Sequence, residues 1–405
     1  MKNVAIINNG DRGSTGNIAK NLHRDLKNKG FNSYLCYGRG EYSNSDDAYK
    51  TDSDWELKCH AMMTRISGRQ GFYSKRATSR LLAKFDEWKI DTVFIVCIHG
   101  YYINETKLYE YIANHNIRLV HIMIDEYAYT GKCAYCDGCE RYRVGCGKCP
   151  HKKDYPSSIL LDGSKAVFNA KRQSYSRLKN AIFVGPQFVV EQAHKSPLFM
   201  NLKTEILDEA VDMEVFCPRE VGNLRKSLGI DPNKIIIVSV VPYDGGDNDR
   251  KGGRYFIELA KLLERDDRFV FVHVGYKCKN AEQLPSNFIP VGFINDLNLL
   301  AEYFSLGDMF VFPSLLDTMP NACLDALSCG TPLLCFKISG MPYVANDEVG
   351  TFVEARNVEA LATVVKSTQK KTQQVIDNCR TYAMTRYNSK DYNEKLISIA
   401  NKSFN

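Results

Sequence analysis

Two acids eight residues apart stand in the stretch Phe312-Pro-Ser-Leu-Leu-Asp317-Thr-Met-Pro-Asn-Ala-Cys-Leu-Asp325-Ala-Leu-Ser-Cys-Gly330-Thr-Pro332. The pattern predicts an apolar strand over 309–312, a loop carrying Asp317, and a helix that starts near Pro320 with Asp325 in its first turns. Gly330 stops the helix and Pro332 leads into another apolar strand. A loop feeding a helix N-terminus leaves backbone N–H groups unpaired and turns the positive end of the helix dipole towards the loop, which suits an anion. Two carboxylates beside such amides suit a ligand with both anionic and hydroxyl groups. A sugar nucleotide is such a ligand.

The elements that must hold these residues alternate apolar strands with helical segments, the signature of parallel sheets covered by helices. Strands are expected over 4–8, 33–37, 92–98, 118–124 and 181–184, then over 235–241, 270–274, 309–312 and 332–336, with helices over 17–29 and 255–264. A chain of 405 residues is too long for one core and suggests two domains. Two Rossmann-like halves joined near 186–217 imply an α/β protein whose parallel sheets face across a cleft. The expected division is 1–186, carrying a Cys-rich loop at 131–151, then 187–385, then a polar C-terminal helix at 386–405.

The net charge of +6 suits an acidic ligand or an anionic membrane surface but is too small to argue for nucleic acid. The N-terminus reads as a short strand rather than a signal peptide, and no run nears the ~20 apolar residues of a membrane span, so a cytosolic protein is expected. In that compartment the 14 Cys are not a disulfide framework. Five of them, Cys133, Cys136, Cys139, Cys146 and Cys149, fall within seventeen residues. Cys-x2-Cys steps are what a structural zinc knuckle needs, and a closed four-thiolate shell would leave no catalytic position open. A redox or iron–sulfur role and plain reduced thiols remain the alternatives. A basic, apolar stretch over 65–89 reads either as a membrane-facing amphipathic helix or as a helix packed on the sheet.

The stretch from Asp317 to Pro332 resembles the donor motif of family 4 retaining glycosyltransferases, which carry Glu-x7-Glu before a Gly-Thr-Pro; here both acids are Asp. The likeness extends through most of the chain. Gly13-Ser14-Thr15-Gly16 resembles the family's Gly-rich N-terminal loop, Arg250-Lys251-Gly252 its Lys loop, and the segment 291–295 around Phe293 its nucleobase loop. Asp308 matches the acid ahead of the motif strand. His99-Gly-Tyr-Tyr-Ile-Asn104 and Asp125 followed by the Cys cluster are similar to the colanic acid and capsular polysaccharide branch.

The resemblance implies a GT-B fold whose C-terminal helix packs back on the first domain, and transfer of a sugar from a nucleotide donor to a growing, usually lipid-linked, glycan with retention of configuration. It puts Lys251 on the donor pyrophosphate, with Arg250, Phe293, Thr318, Met319, Pro320 and Asn321 around the donor. Asp317 then meets the sugar and Asp325 the ribose, while His99 and Asp125 serve the acceptor side. It implies no cofactor for the chemistry and a zinc held by Cys133, Cys139, Cys146 and Cys149, with Cys136 as a fifth candidate. The protein would work on the inner face of the plasma membrane, with 65–89 as the contact. The chain departs from the family at Ile124, where His is usual, and around Pro242, where Arg is usual. It departs again at Gln187, where Ser is usual, and at the hinge Glu209-Ala-Val-Asp212. These leave open a second reading, a GT-B protein with degraded catalysis that partners an active transferase. A nicotinamide oxidoreductase fits poorly, because the first loop lacks the third glycine of the dinucleotide fingerprint.

Overall fold

The computed structural model describes residues 2–41, 46–241, 250–275 and 284–401. The departure at Pro242 lies outside them. The chain forms two compact units, one of Met1–Leu207 with Asn393–Asn405 and one of Asp208–Tyr392. Each is a parallel sheet with helical connections.

The first sheet has the order β3-β2-β1-β4-β5-β6-β7. Its strands are β1 (Asn3–Gly10), β2 (Asn32–Arg39), β3 (Ala48–Lys50), β4 (Thr92–Ile95), β5 (Arg118–Ile122), β6 (Ala181–Gly185) and β7 (Lys203–Ile206). Val4, Ala5, Ile6 and Ile7 are all buried, as a central strand covered on both faces requires. Helix α1 (Gly13–Asn28) starts four residues before the expected 17, so the Gly-rich segment forms its first turn rather than a free loop.

The 65–89 stretch is not one helix. Helix α2 (Asp54–Ser67) ends at Gly68, whose φ of 68° is left-handed, and α3 (Lys75–Trp88) begins afresh. Leu81, Leu82 and Phe85 of α3 sit in the first core, so the packed-helix alternative holds and no apolar face of α3 is left for a membrane. Helices α4 (Glu105–Asn114), α5 (Ser164–Tyr175) and α6 (Gln187–Ala193) complete the unit.

The second unit opens with α7 (Gly222–Ser227) and has the strand order β10-β9-β8-β11-β12-β13. These are β8 (Ile235–Val240), β9 (Phe269–Val274), β10 (Phe288–Gly292), β11 (Met309–Phe312), β12 (Leu333–Phe336) and β13 (Gly350–Val353). Helices α8 (Gly253–Leu262), α9 (Leu297–Leu306), α10 (Asn321–Ser328), α11 (Val358–Ser367) and α12 (Gln373–Arg386) connect or follow them. Val291 and Gly292, expected in a loop, end β10. Asp308 is structural: Oδ2 accepts the Ile236 N–H at 2.8 Å and Oδ1 the Lys371 N–H at 3.0 Å. Helix α13 (Ser389–Asn401) closes the described chain, and its residues from Asn393 onward belong to the first unit.

In each unit the strand order reverses beside the first strand, β1 in one and β8 in the other. At such a switch point the connections leave in opposite directions and open a crevice at the carboxyl ends of the two strands.

Candidate active site

In the second unit that crevice lies past β8 and β11. Arg250, Lys251 and Gly252 precede α8, and the segment 313–320 follows β11. Backbone bonds lace the two segments together. The Leu315 N–H donates to the Arg250 carbonyl at 2.9 Å, the Ser314 hydroxyl donates to it at 3.2 Å, and Arg250 Nη1 donates to the Leu316 carbonyl at 3.0 Å. Gly252 has φ 77°, and a Cβ there would stand 1.8 Å from the Pro313 carbonyl oxygen. Only glycine lets the backbones approach so closely.

That approach delivers Lys251 to Asp317, and the two form an ion pair. The ammonium lies 5.6 Å from the Phe312 ring centre. Asp317 is buried, and its Oδ1 accepts the Thr318 N–H at 3.1 Å. Its carbonyl accepts the Gly340 N–H at 2.9 Å. The Met319 sulfur accepts the Glu209 N–H at 3.3 Å. Helix α10 starts at Asn321 after Pro320, and no side chain caps it, so its positive end is open to an anionic ligand. Asp325 lies one turn in. Its carboxyl has no hydrogen bond or ion pair among the described residues, and burial alone pushes it well above the usual carboxylate range. Phe293, after β10, is 62% exposed.

In the first unit His99 and Asp125 meet, having left β4 and β5. His99 Nε2 stands 2.7 Å from Asp125 Oδ2, and its Nδ1 stands 3.0 Å from the Tyr155 hydroxyl. Asp125 Oδ1 accepts the Tyr127 N–H at 3.0 Å. Burial works against the imidazolium, yet the adjacent Cys97 and Asp125 hold His99 well above the ordinary histidine range. The arrangement is a fixed, buried imidazole that can carry positive charge. Gly13, at φ 74°, Ser14 and Thr15 form the first turn of α1 past β1; Gly16 packs there against the Asp11 backbone.

The sequence reading missed Tyr155, because nothing in its spacing ties it to His99. It also missed a buried group beside them. The Tyr127 hydroxyl donates to Glu105, and Lys171 Nζ lies 3.4 Å from the Tyr127 ring centre and donates to the Thr130 carbonyl at 3.2 Å. Burial raises the Glu105 carboxyl and lowers Lys171 to about 8. A Lys inside an apolar helical stripe was the available signal.

The five clustered cysteines all line one pocket, with Lys132 and Arg141 at its wall. Cys146 Sγ accepts the Gly131 N–H at 3.2 Å, and Cys146 and Lys148 take left-handed φ of 52° and 49° in the Cys-Gly-Lys-Cys turn. A hydrogen bond from Cys133, against the opposing effect of burial, draws the Cys149 thiol down to about 6. Cys136 differs. Its thiol packs in the core beside Glu126, and burial pushes it up. The described cysteines form no disulfide, and among the described residues no three His, Cys, Asp or Glu side chains are gathered as a metal site.

Residues 235–370 match the family described as glycosyl transferases group 1. The chain is 23% identical, over 87% of its own length and 87% of the relative's, to WcaC of Escherichia coli K12, named as a colanic acid biosynthesis glycosyl transferase. It is 28% identical to the Escherichia coli UDP-Gal:alpha-D-GlcNAc-diphosphoundecaprenol alpha-1,3-galactosyltransferase, over 46% of this chain and about half (51%) of that one. Among solved structures, sucrose-phosphate synthase of Thermosynechococcus elongatus superimposes with a TM-score of 0.68 at 15% identity, over 98% of both chains. At that identity the likeness speaks for the fold alone.

Proposed function

We infer that this chain, a GT-B-fold protein whose second unit carries a glycosyl transferases group 1 domain, transfers a sugar from a nucleotide donor to a glycan acceptor. The observation that carries the reading is the Lys251–Asp317 pair at the switch point, beside the uncapped start of α10. Donor binding gives Lys251 a diphosphate oxygen in place of Asp317, and Asp317 turns to the sugar hydroxyls. The bond from the anomeric carbon to the phosphate oxygen breaks while the acceptor hydroxyl oxygen forms the new one and gives up its proton to the departing diphosphate. Lys251 and the α10 amides stabilise the charge that builds on the departing diphosphate. Asp325 takes the ribose. The first unit supplies His99 and Asp125 to the acceptor side. The printed name of the Escherichia coli galactosyltransferase supports a uridine diphosphate sugar and a lipid-linked acceptor, and the family resemblance supports retention.

The Cys-rich loop has a structural part in this proposal. Cys133, Cys139, Cys146 and Cys149 close on one zinc ion, while Cys136 stays with Glu126. Five thiols on one pocket wall and an N–H donor to Cys146 sulfur support it.

Thermal stability against UDP-, GDP-, dTDP- and ADP-sugars tests the donor reading, because a ligand bound only by the folded state raises stability by RT ln(1 + [L]/Kd). One base should stand out, and that donor should then label a lipid-linked glycan. No shift with any donor, alone or with acceptor present, would instead support a non-catalytic partner.

A further inference from the structure

Helix α2 buries Leu57, Ala61 and Thr64, and an ordinary surface helix would be polar on its other side. This one is not. Trp55 is 73% exposed, Met62 53% and Ile66 40%. Steps of seven and four residues put these three on one stripe, about 16 Å long at 1.5 Å per residue. A second apolar run stands against the C-terminal end of the stripe. Ile159, Leu160 and Leu161 are 65%, 63% and 61% exposed. The Ile159 N–H donates to the Arg65 carbonyl at 2.6 Å and the Leu161 N–H to the Ile66 carbonyl at 2.9 Å. Gly68 and Gly163 press together; a Cβ on Gly68 would lie 2.5 Å from the Gly163 nitrogen. Helix and loop therefore present one continuous apolar surface, held by backbone bonds.

Its rim is basic. Lys58, Arg65, Arg69 and Lys153 are exposed, and none makes an ion pair among the described residues. The nearby acids are already engaged. Asp54 pairs with Lys50 at 2.8 Å, Glu56 with Arg80 at 2.8 Å and Asp154 with His151 at 2.9 Å. Asp162 accepts the Cys149 N–H at 2.8 Å and the Ser164 N–H at 2.9 Å. Two copies meeting through this face would bring like-charged rims together, which costs association. A bilayer bearing anionic headgroups accepts both parts, the aliphatic and indole side chains at the acyl boundary and the cations among the phosphates.

We propose that the face formed by α2 and residues 159–161 seats the protein on an anionic lipid surface. The surface takes Arg65, Ile66 and Arg69 from the 65–89 stretch read in the sequence but nothing from α3, and it includes none of the residues assigned to sugar transfer. The test is sedimentation with vesicles of phosphatidylglycerol and phosphatidylethanolamine against vesicles of phosphatidylcholine, with tryptophan fluorescence in parallel. Of the 2 Trp, Trp88 is stacked on Tyr34 at 4.3 Å, so a blue shift on binding reports Trp55. Wild-type protein should bind the anionic vesicles and shift. The pair Ile66→Asp with Leu160→Asp should lose at least ~10-fold in binding, and Arg65→Gln with Arg69→Gln about 5-fold or more. Melting curves and the donor-induced shift should stay unchanged in both. No binding to anionic vesicles, or undiminished binding by the Asp pair, overturns the assignment. A wild-type dimer that the Asp pair dissolves also overturns it, by giving the face to a second copy, and so does an acidic protein that competes the vesicles off without lipid affinity of its own.

Discussion

Lys251 and Asp317 hold one another, so the charge proposed to meet a donor diphosphate already stands beside the crevice. Lys251→Ala removes that charge and leaves Asp317 buried without its cation. We expect transfer to fall by at least ~100-fold, the range seen when one donor of charge stabilisation is removed. The donor-induced thermal shift should disappear while circular dichroism stays native. Unchanged turnover would take Lys251 out of the donor site. Asp325 poses the opposite problem, a carboxyl with no partner among the described residues. Its folded-state pKa lies above the unfolded value. Its contribution to stability is therefore complete below the unfolded carboxylate range and is lost as pH rises through the raised value. Asp325→Asn removes the buried charge. The donor-free variant should be more stable than wild type at pH 8, by about 1–3 kcal/mol, and flatter with pH, yet weaker in nucleotide binding. Equal pH profiles for the two proteins would show that the carboxyl is not strained.

At the scale of elements, the core strands were legible because short continuous runs such as Ile235, Ile236, Ile237 and Val238 suit a parallel sheet covered on both sides. Strands β3 and β7 were not legible. They are edge strands of three and four residues with half-exposed faces, so no apolar run marks them. The acids of the donor motif were legible through their spacing, but the Gly252 contact was not, because its partner Pro313 lies 61 positions away. Gly252→Ala must put a side chain at φ 77° and into a carbonyl oxygen. It should cost more than about 1 kcal/mol and separate Lys251 from Asp317, seen as a lowered denaturation midpoint and weakened donor binding. The Cys-rich turn carries its own prediction. Purified protein should hold one zinc by mass spectrometry, and Cys149→Ser should release it and lower the melting temperature, whereas Cys136→Ser should keep it. A metal-free native protein of undiminished stability removes the zinc proposal.

At the scale of the whole molecule, the chain does not finish in the unit it has just built. The C-terminal helix was legible as a polar helix over 386–405, of which 402–405 lie outside the described residues; the family resemblance put it back on the first domain, but the residues that hold it there, hundreds of positions earlier, were not legible. Asn393 donates to Asp25 at 2.6 Å, Lys2 donates to Asn401 at 2.6 Å, and Arg118 donates to the Ala400 carbonyl. Leu396 is 0% exposed, Ile399 1% and Ile397 5%. Burying three such side chains is worth on the order of 5 kcal/mol at about 1.5–3 kcal/mol each, a large part of a domain's net stability. Ending the chain after Tyr392 should therefore loosen the first unit, although every residue removed follows the second. Hydrogen exchange checks this directly. Amides of α1 and β1 should lose protection in the shortened chain, while those of β8 and β11, beside the Lys251–Asp317 pair, keep theirs. Uniform loss across both units would mean that α13 holds the whole protein together, and no loss would mean that its buried face contributes nothing to the first core.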